Sequence, residues 1–117
     1  MSKKIFTLKE SLELLPRVQE LTNTAAEQAE VLVRQLETLP AGEARREFEE
    51  RYDRLLRTWA AHVMELGVEV KGMWLVDFDS GDGIYYCWHH PERTIEFFHD
   101  YDTGFSGRRP LGKLGTS

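Results

Sequence analysis

The sequence predicts an α+β domain: a long antiparallel helical hairpin, then a small antiparallel β-meander and an irregular C-terminal arm. Three observations predict it. Apolar residues recur every three or four positions up to Gly67 and at a period of two after it. The turn Leu39-Pro40-Ala41-Gly42 divides the helical half, and the loop Asp79-Ser80-Gly81-Asp82-Gly83 divides the strand half. The 117 residues suit one domain (1–67 hairpin, 68–102 meander, 103–117 arm), long enough to bury a core without staples.

The first helix opens with a capping box in which Thr7 accepts from the Glu10 N–H and Glu10 reaches back to Thr7. Ile5 or Phe6 is placed to staple onto the first turns. Leu8, Leu12, Leu15, Val18, Ala25, Ala29, Leu32 and Leu36 follow at helical spacing with a heptad flavour. Pro16 removes a donor, and a kink near 12–16 is expected because the stripe resumes in phase. The second helix sets Phe48, Tyr52, Leu55, Trp59, Val63 and Leu66 on one face and i,i+4 charge pairs on the other. Gly67 stands where a left-handed C-cap belongs.

Strands are expected at Val68 to Val70, Met73 to Phe78, Ile84 to Trp88 and, after a turn through Pro91, Thr94 to His99. From Asp100 the chain is rich in Gly and turn formers and reads as irregular.

Composition narrows the function classes. No apolar run approaches the roughly 20 residues that span a bilayer, and the N-terminus lacks the apolar core and cleavage site of a signal peptide. The single cysteine, Cys87, has no internal disulfide partner, which suits a reducing cytoplasm, the expected location. The net charge of −5 is uneven: residues 68–102 carry 8 acids against Lys71 and Arg93, and the arm carries only Arg108, Arg109 and Lys113. No basic face is available to neutralise phosphates, which argues against a nucleic-acid role.

The opening TLKESLELLPRVQEL and the later LVDF, CW, HD and GFSGRRPL, in that order, resemble the small prokaryotic proteins grouped as domain-of-unknown-function family 2203. The resemblance covers nearly the whole chain. That family's pattern runs close to CWRLGE, so His89, His90 and Pro91 depart from it while Glu92 matches. The resemblance implies a fold of the kind described above and no established activity, so it carries no catalytic residues.

Four residues form a candidate metal set. His99 and Asp100, with Asp77 and Glu92 on neighbouring strands, supply the imidazole and carboxylates that suit zinc, manganese or iron. The plainer alternative has Asp77 capping the hairpin, with His99 and Glu92 holding the tail by ordinary hydrogen bonds. Cys87 with His99 as base would make a nucleophile, but its mid-strand position in an acidic region favours an inert core thiol. The tail GFSGRRPLG lacks the order of a phosphate loop. Its arginines are instead expected to fork onto carboxylates such as Asp77, Asp100 or Asp102, Arg108 onto Asp77 or Asp100, with Phe105 plugging an apolar gap. Arg108, Arg109 and Trp88 are the candidate binding residues if a peptide or small anionic ligand uses the same forks. The helical stripe around Trp59 is core, and His62 beside it is a lone helical histidine.

Two function classes follow. A non-enzymatic binding module self-associating through its helices needs only the features above, because the hairpin is too narrow to cover its own stripe; it would be a homodimer with no cofactor expected. A metal-dependent enzyme or metal-binding protein needs the His/Asp/Glu cluster to converge in space around a divalent metal.

Overall fold

The computed structural model describes residues 4–113. Helix α1 spans Leu8–Thr38 and α2 spans Glu43–Glu65. Strands β1 (Glu69–Gly72), β2 (Leu75–Asp79), β3 (Ile84–His89), β4 (Phe97–Asp100) and β5 (Arg109–Pro110) follow, with 3-10 turns at Phe105–Gly107 and Leu111–Lys113. The strands form one sheet in chain order, with every neighbouring pair antiparallel. The fold is α+β, as the change of period at Gly67 predicts. No described helix is long and apolar enough to cross a membrane.

The hairpin forms for the reasons visible in its sequence. The Glu10 N–H donates to Thr7 Oγ1 at 3.0 Å and the Thr7 N–H to Glu10 Oε1 at 2.8 Å, so two orphan donors of the first turn are satisfied reciprocally. Helix α1 runs through Pro16 as one element. The donor lost at Pro16 would have met the Leu12 carbonyl, and both residues lie on the solvent face, where water can replace it. Leu12, expected in the buried stripe, is 39% exposed.

Ser11 and Thr22 take the interior positions instead, because their hydroxyls are satisfied within the hairpin. Ser11 donates to the Thr7 carbonyl and Thr22 to the Val18 carbonyl, and the Trp59 indole N–H donates to Thr22 Oγ1 at 2.9 Å. Gly67 ends α2 at φ +89°, and a Cβ there would lie 2.5–2.8 Å from the Lys4 side chain.

The first strand junction differs from the sequence reading. Met73 is not in a strand: Met73-Trp74 is the turn between β1 and β2, and Trp74 takes φ +61°. A left-handed non-glycine residue costs about 1–2 kcal/mol. Burying the indole, which meets Trp59 edge-on at 4.9 Å between centroids, returns about 2–3 kcal/mol and so decides the turn.

Strand β4 begins at Phe97 rather than Thr94, and Ile95 is buried from an irregular segment. The arm is more regular than expected as far as it is described: Arg109 and Pro110 pair with Phe98 and Phe97, and the Leu111 N–H donates to the Glu96 carbonyl at 2.9 Å. Residues 114–117 of the expected arm lie outside the described residues. On the helix side of the sheet, Val76, Phe78 and Trp88 pack with Val18, Trp59 and Val63 into one core.

Candidate functional site

Strand register sorts the meander into two faces. Asp77 stands opposite Cys87, and Cys87 opposite Phe97; two residues along, Asp79 stands opposite Tyr85, and Tyr85 opposite His99. Residues directly opposite, or two apart on a strand, share a face. Asp77, Cys87 and His99 therefore point away from the helical core, where an open sheet would meet water.

They do not meet it. Asp77 is 1% exposed, Cys87 0% and His99 2%. The arm and the sheet edges supply the cover. The Arg108 guanidinium lies over the rings of Phe97 and Phe105, at 4.1 and 4.6 Å, and pairs with Glu92. Lys71 lies 4.5 Å over the Tyr85 ring, and the Tyr101 hydroxyl donates to Asp79. A polar layer is thus sealed beneath an arginine and a lysine.

Within that layer one ligand atom each from Asp77, Cys87 and His99 lies within 4.8 Å of the others. His99 Nδ1 is 2.8 Å from the Asp100 carbonyl, which can only accept, so Nδ1 carries the proton and donates. His99 Nε2 is 2.9 Å from Asp77 Oδ2. Those two atoms would both be lone-pair bearers, so a proton sits between them, on one or the other. The other oxygen, Asp77 Oδ1, is buried without a hydrogen-bond partner of ordinary geometry.

Burial raises the Asp77 carboxyl above its usual range, against the lowering effects of Cys87, His99 and Lys71. Burial and the Asp77 charge push the Cys87 thiol far up, more than Arg108 brings it down. Cys87 is an inert thiol toward electrophiles, as its mid-strand position implies. His99 is not poised as its base, because its Nε2 is held by Asp77.

The structure brings Asp77 and His99 together and adds Cys87. Glu92 and Asp100 serve the arm. Glu92 accepts from the His89 N–H at 2.8 Å and from Arg108, and Asp100 accepts from Arg109 at 3.0 Å. The partner of Arg108 is therefore Glu92, not Asp77 or Asp100: residues 89–92 turn back so that Glu92 lies beneath the arm. Asp77 does not cap the hairpin; Asp79 does, accepting from the Gly81 N–H at 2.7 Å. Phe105 is 48% exposed and flanks Arg108 and His89 instead of plugging a gap. Trp88 is 1% exposed and donates to the Glu92 carbonyl, so it is a core residue.

Cys87 as a partner of Asp77 had one signal in the sequence. The loop read from the sequence, Asp79–Gly83, is centred on Gly81 and would set position 77 opposite Tyr85; the observed register is centred on Asp82 and sets it opposite Cys87, so that signal pointed one pair away.

Compared with known proteins, the chain matches over residues 4–111 the family model described as uncharacterized conserved protein (DUF2203). No curated protein and no solved structure matches it.

Proposed function

We propose that this chain, which belongs to the DUF2203 family, is a metal-binding module in which Asp77, Cys87 and His99 ligate one divalent transition-metal ion of the zinc class. The observation that carries the reading is the proton bookkeeping at His99 and Asp77. Two basic atoms stand 2.9 Å apart with Nδ1–H already donated to a backbone carbonyl, and a thiol stands beside them. A metal-ligating histidine usually makes that same outer hydrogen bond, which fixes its tautomer and aims Nε2 at the ion.

The chemistry of the set fits. Thiolate, imidazole and carboxylate together suit zinc over magnesium or calcium. Tetrahedral zinc holds nitrogen and oxygen ligands roughly 3.3 Å apart and sulfur and nitrogen roughly 3.5 Å apart. Reaching that geometry takes a small opening between His99 and Asp77, now 2.9 Å apart, with the Cys87 sulfur drawn in from within 4.8 Å of both. Two anionic ligands neutralise a divalent ion, so the loaded centre has no net charge to bury. Loading would release the thiol proton and the shared proton together.

The arginines support this reading over capture of an anionic ligand. Arg108 and Arg109 already hold Glu92 and Asp100, and Trp88 is interior. The test is zinc competition against a chromophoric chelator, using metal-stripped protein. One equivalent should bind with a dissociation constant on the order of 0.1 µM or tighter. Cys87→Ser and His99→Gln, each checked for native circular dichroism, should lose roughly 100-fold or more. Absence of stoichiometric uptake, or equal uptake by parent and Cys87→Ser, would overturn the proposal.

A further inference from the structure

The hairpin is longer than the sheet that covers it. Helix α1 has 31 residues, about 46 Å at 1.5 Å per residue, and the molecule is 57 Å along its longest axis. Buried residues in α1 stop at Ala29, and in α2 they begin only at Trp59. Met73, in the first strand turn, reaches as far along α2 as Tyr52. Beyond that level two helices stand with only each other for cover, and Val31 is 50% exposed. Isolated helices gain their stability from an apolar face packed on something else.

On the side away from the sheet, α1 and α2 enclose a groove. Its two halves share Gln28 and Leu55, so it runs unbroken from the level of Glu20 and His62 to that of Gln35 and Arg51. Leu21, Ala25, Leu32, Leu55 and Trp59 line its apolar part. Its edges differ in charge. On α1, Glu20 lines the groove, already paired with Arg17, and the exposed Glu27 follows two turns on, beside the lining; on α2, Arg51 and Arg54 line it. The side chains of Glu27 and Arg54 make no ion pair or hydrogen bond among the described residues, and Arg51 meets only the Phe48 ring.

We propose that this groove is the dimer interface, filled by the same groove of a second copy of this chain. The charges choose the symmetry axis. A two-fold axis across the helices would lay α1 on α1 and α2 on α2, setting Arg51 and Arg54 against their own kind. A two-fold axis parallel to the helices lays α1 of each copy over α2 of the other. The acidic edge of α1 then meets the basic edge of α2 twice, and four helices close around the two apolar grooves. Like charges in register oppose the first arrangement, and opposite charges favour the second. This inference does not depend on the metal reading, since the groove lies on the opposite side of the molecule from Asp77, Cys87 and His99.

The experiment is sedimentation equilibrium on the full chain, metal-stripped, with Glu27→Arg, Arg54→Glu and the double variant. The parent should weigh twice its 13.6 kDa at tens of micromolar, as an interface of ordinary size requires. Each single reversal should raise the dissociation constant by about ten-fold or more, and the double reversal should restore it to within about three-fold of the parent. A parent that stays monomeric overturns the proposal and leaves the groove to a different partner. A dimer indifferent to both single reversals uses another face. Weakening by each reversal without rescue in the double variant refutes the parallel axis.

Discussion

Arg108 and Arg109 are neighbours on one arm, each paired with one carboxylate, and the structure gives them unequal weight. The Arg108 side chain is 9% exposed and that of Glu92 is 21%, whereas Arg109 and Asp100 are 52% and 46% exposed. Removing one partner of a fully buried pair costs about 3–5 kcal/mol, and an exposed pair is worth about 0–1 kcal/mol. Glu92 keeps its bond from the His89 N–H and some contact with water, so Arg108→Ala falls short of the buried limit. Lost packing on Phe97 and Phe105 adds to it. The sum is about 2–3 kcal/mol for Arg108→Ala, against less than about 1 kcal/mol for Arg109→Ala. At about 4 °C per kcal/mol for a chain of this size, the two variants should melt roughly 8–12 °C and less than about 4 °C below the parent. Thermal melts of metal-stripped protein read the difference directly. Hydrogen exchange at Leu111, whose N–H is held by Glu96, should speed up only in Arg108→Ala. Equal melting of the two variants, or an Arg108→Ala melt within about 2 °C of the parent, refutes the argument from burial.

Three further outcomes follow from single contacts. Thr22→Val strands the Trp59 indole N–H and should cost about 1–3 kcal/mol in denaturant midpoint, while Thr22→Ser stays within about 1 kcal/mol; equal losses would mean the bond is idle. Trp74→Gly relieves a left-handed φ but removes the ring packed on Trp59, so it should destabilise by about 1 kcal/mol, and a stabilised variant would mean backbone strain dominates. Burial raises the Asp77 carboxyl above its ordinary value near 3.8, so between that value and the raised one the folded state holds a proton that the unfolded state has released. Its contribution to stability is full below the ordinary value and is lost as pH rises through the raised one. The stability of Asp77→Asn relative to the metal-stripped parent should therefore improve across that window; a difference flat in pH would contradict it.

The fold was legible wherever a single local rule decided the outcome. The Thr7–Glu10 box, the turn before α2, Gly67 and the change of period each act within a few residues. What could not be read depended on partners far along the chain. Ser11 and Thr22 displace Leu12 from the interior because a carbonyl or an indole satisfies each hydroxyl, and the stripe alone does not show those bonds. Trp74 turns the chain because Trp59, fifteen residues earlier, offers it a ring. Of the proposed metal residues, Asp77 and His99 are brought together, while Glu92 and Asp100 are drawn to the arm by Arg108 and Arg109. Cys87 joins the cluster through hairpin register, which its acidic neighbourhood and mid-strand position do not reveal.

The metal assignment rests on the Cys87 sulfur sharing an ion with Asp77 and His99, and cobalt(II) makes that sulfur visible. Titrating metal-stripped protein with cobalt should give an intense near-ultraviolet band from thiolate-to-metal charge transfer. It should saturate at one equivalent, with visible bands of tetrahedral strength, and zinc should displace it. Cys87→Ser should lose the near-ultraviolet band. A parent spectrum with only the weak absorption of hydrated cobalt, or a band that survives Cys87→Ser, would contradict the assignment.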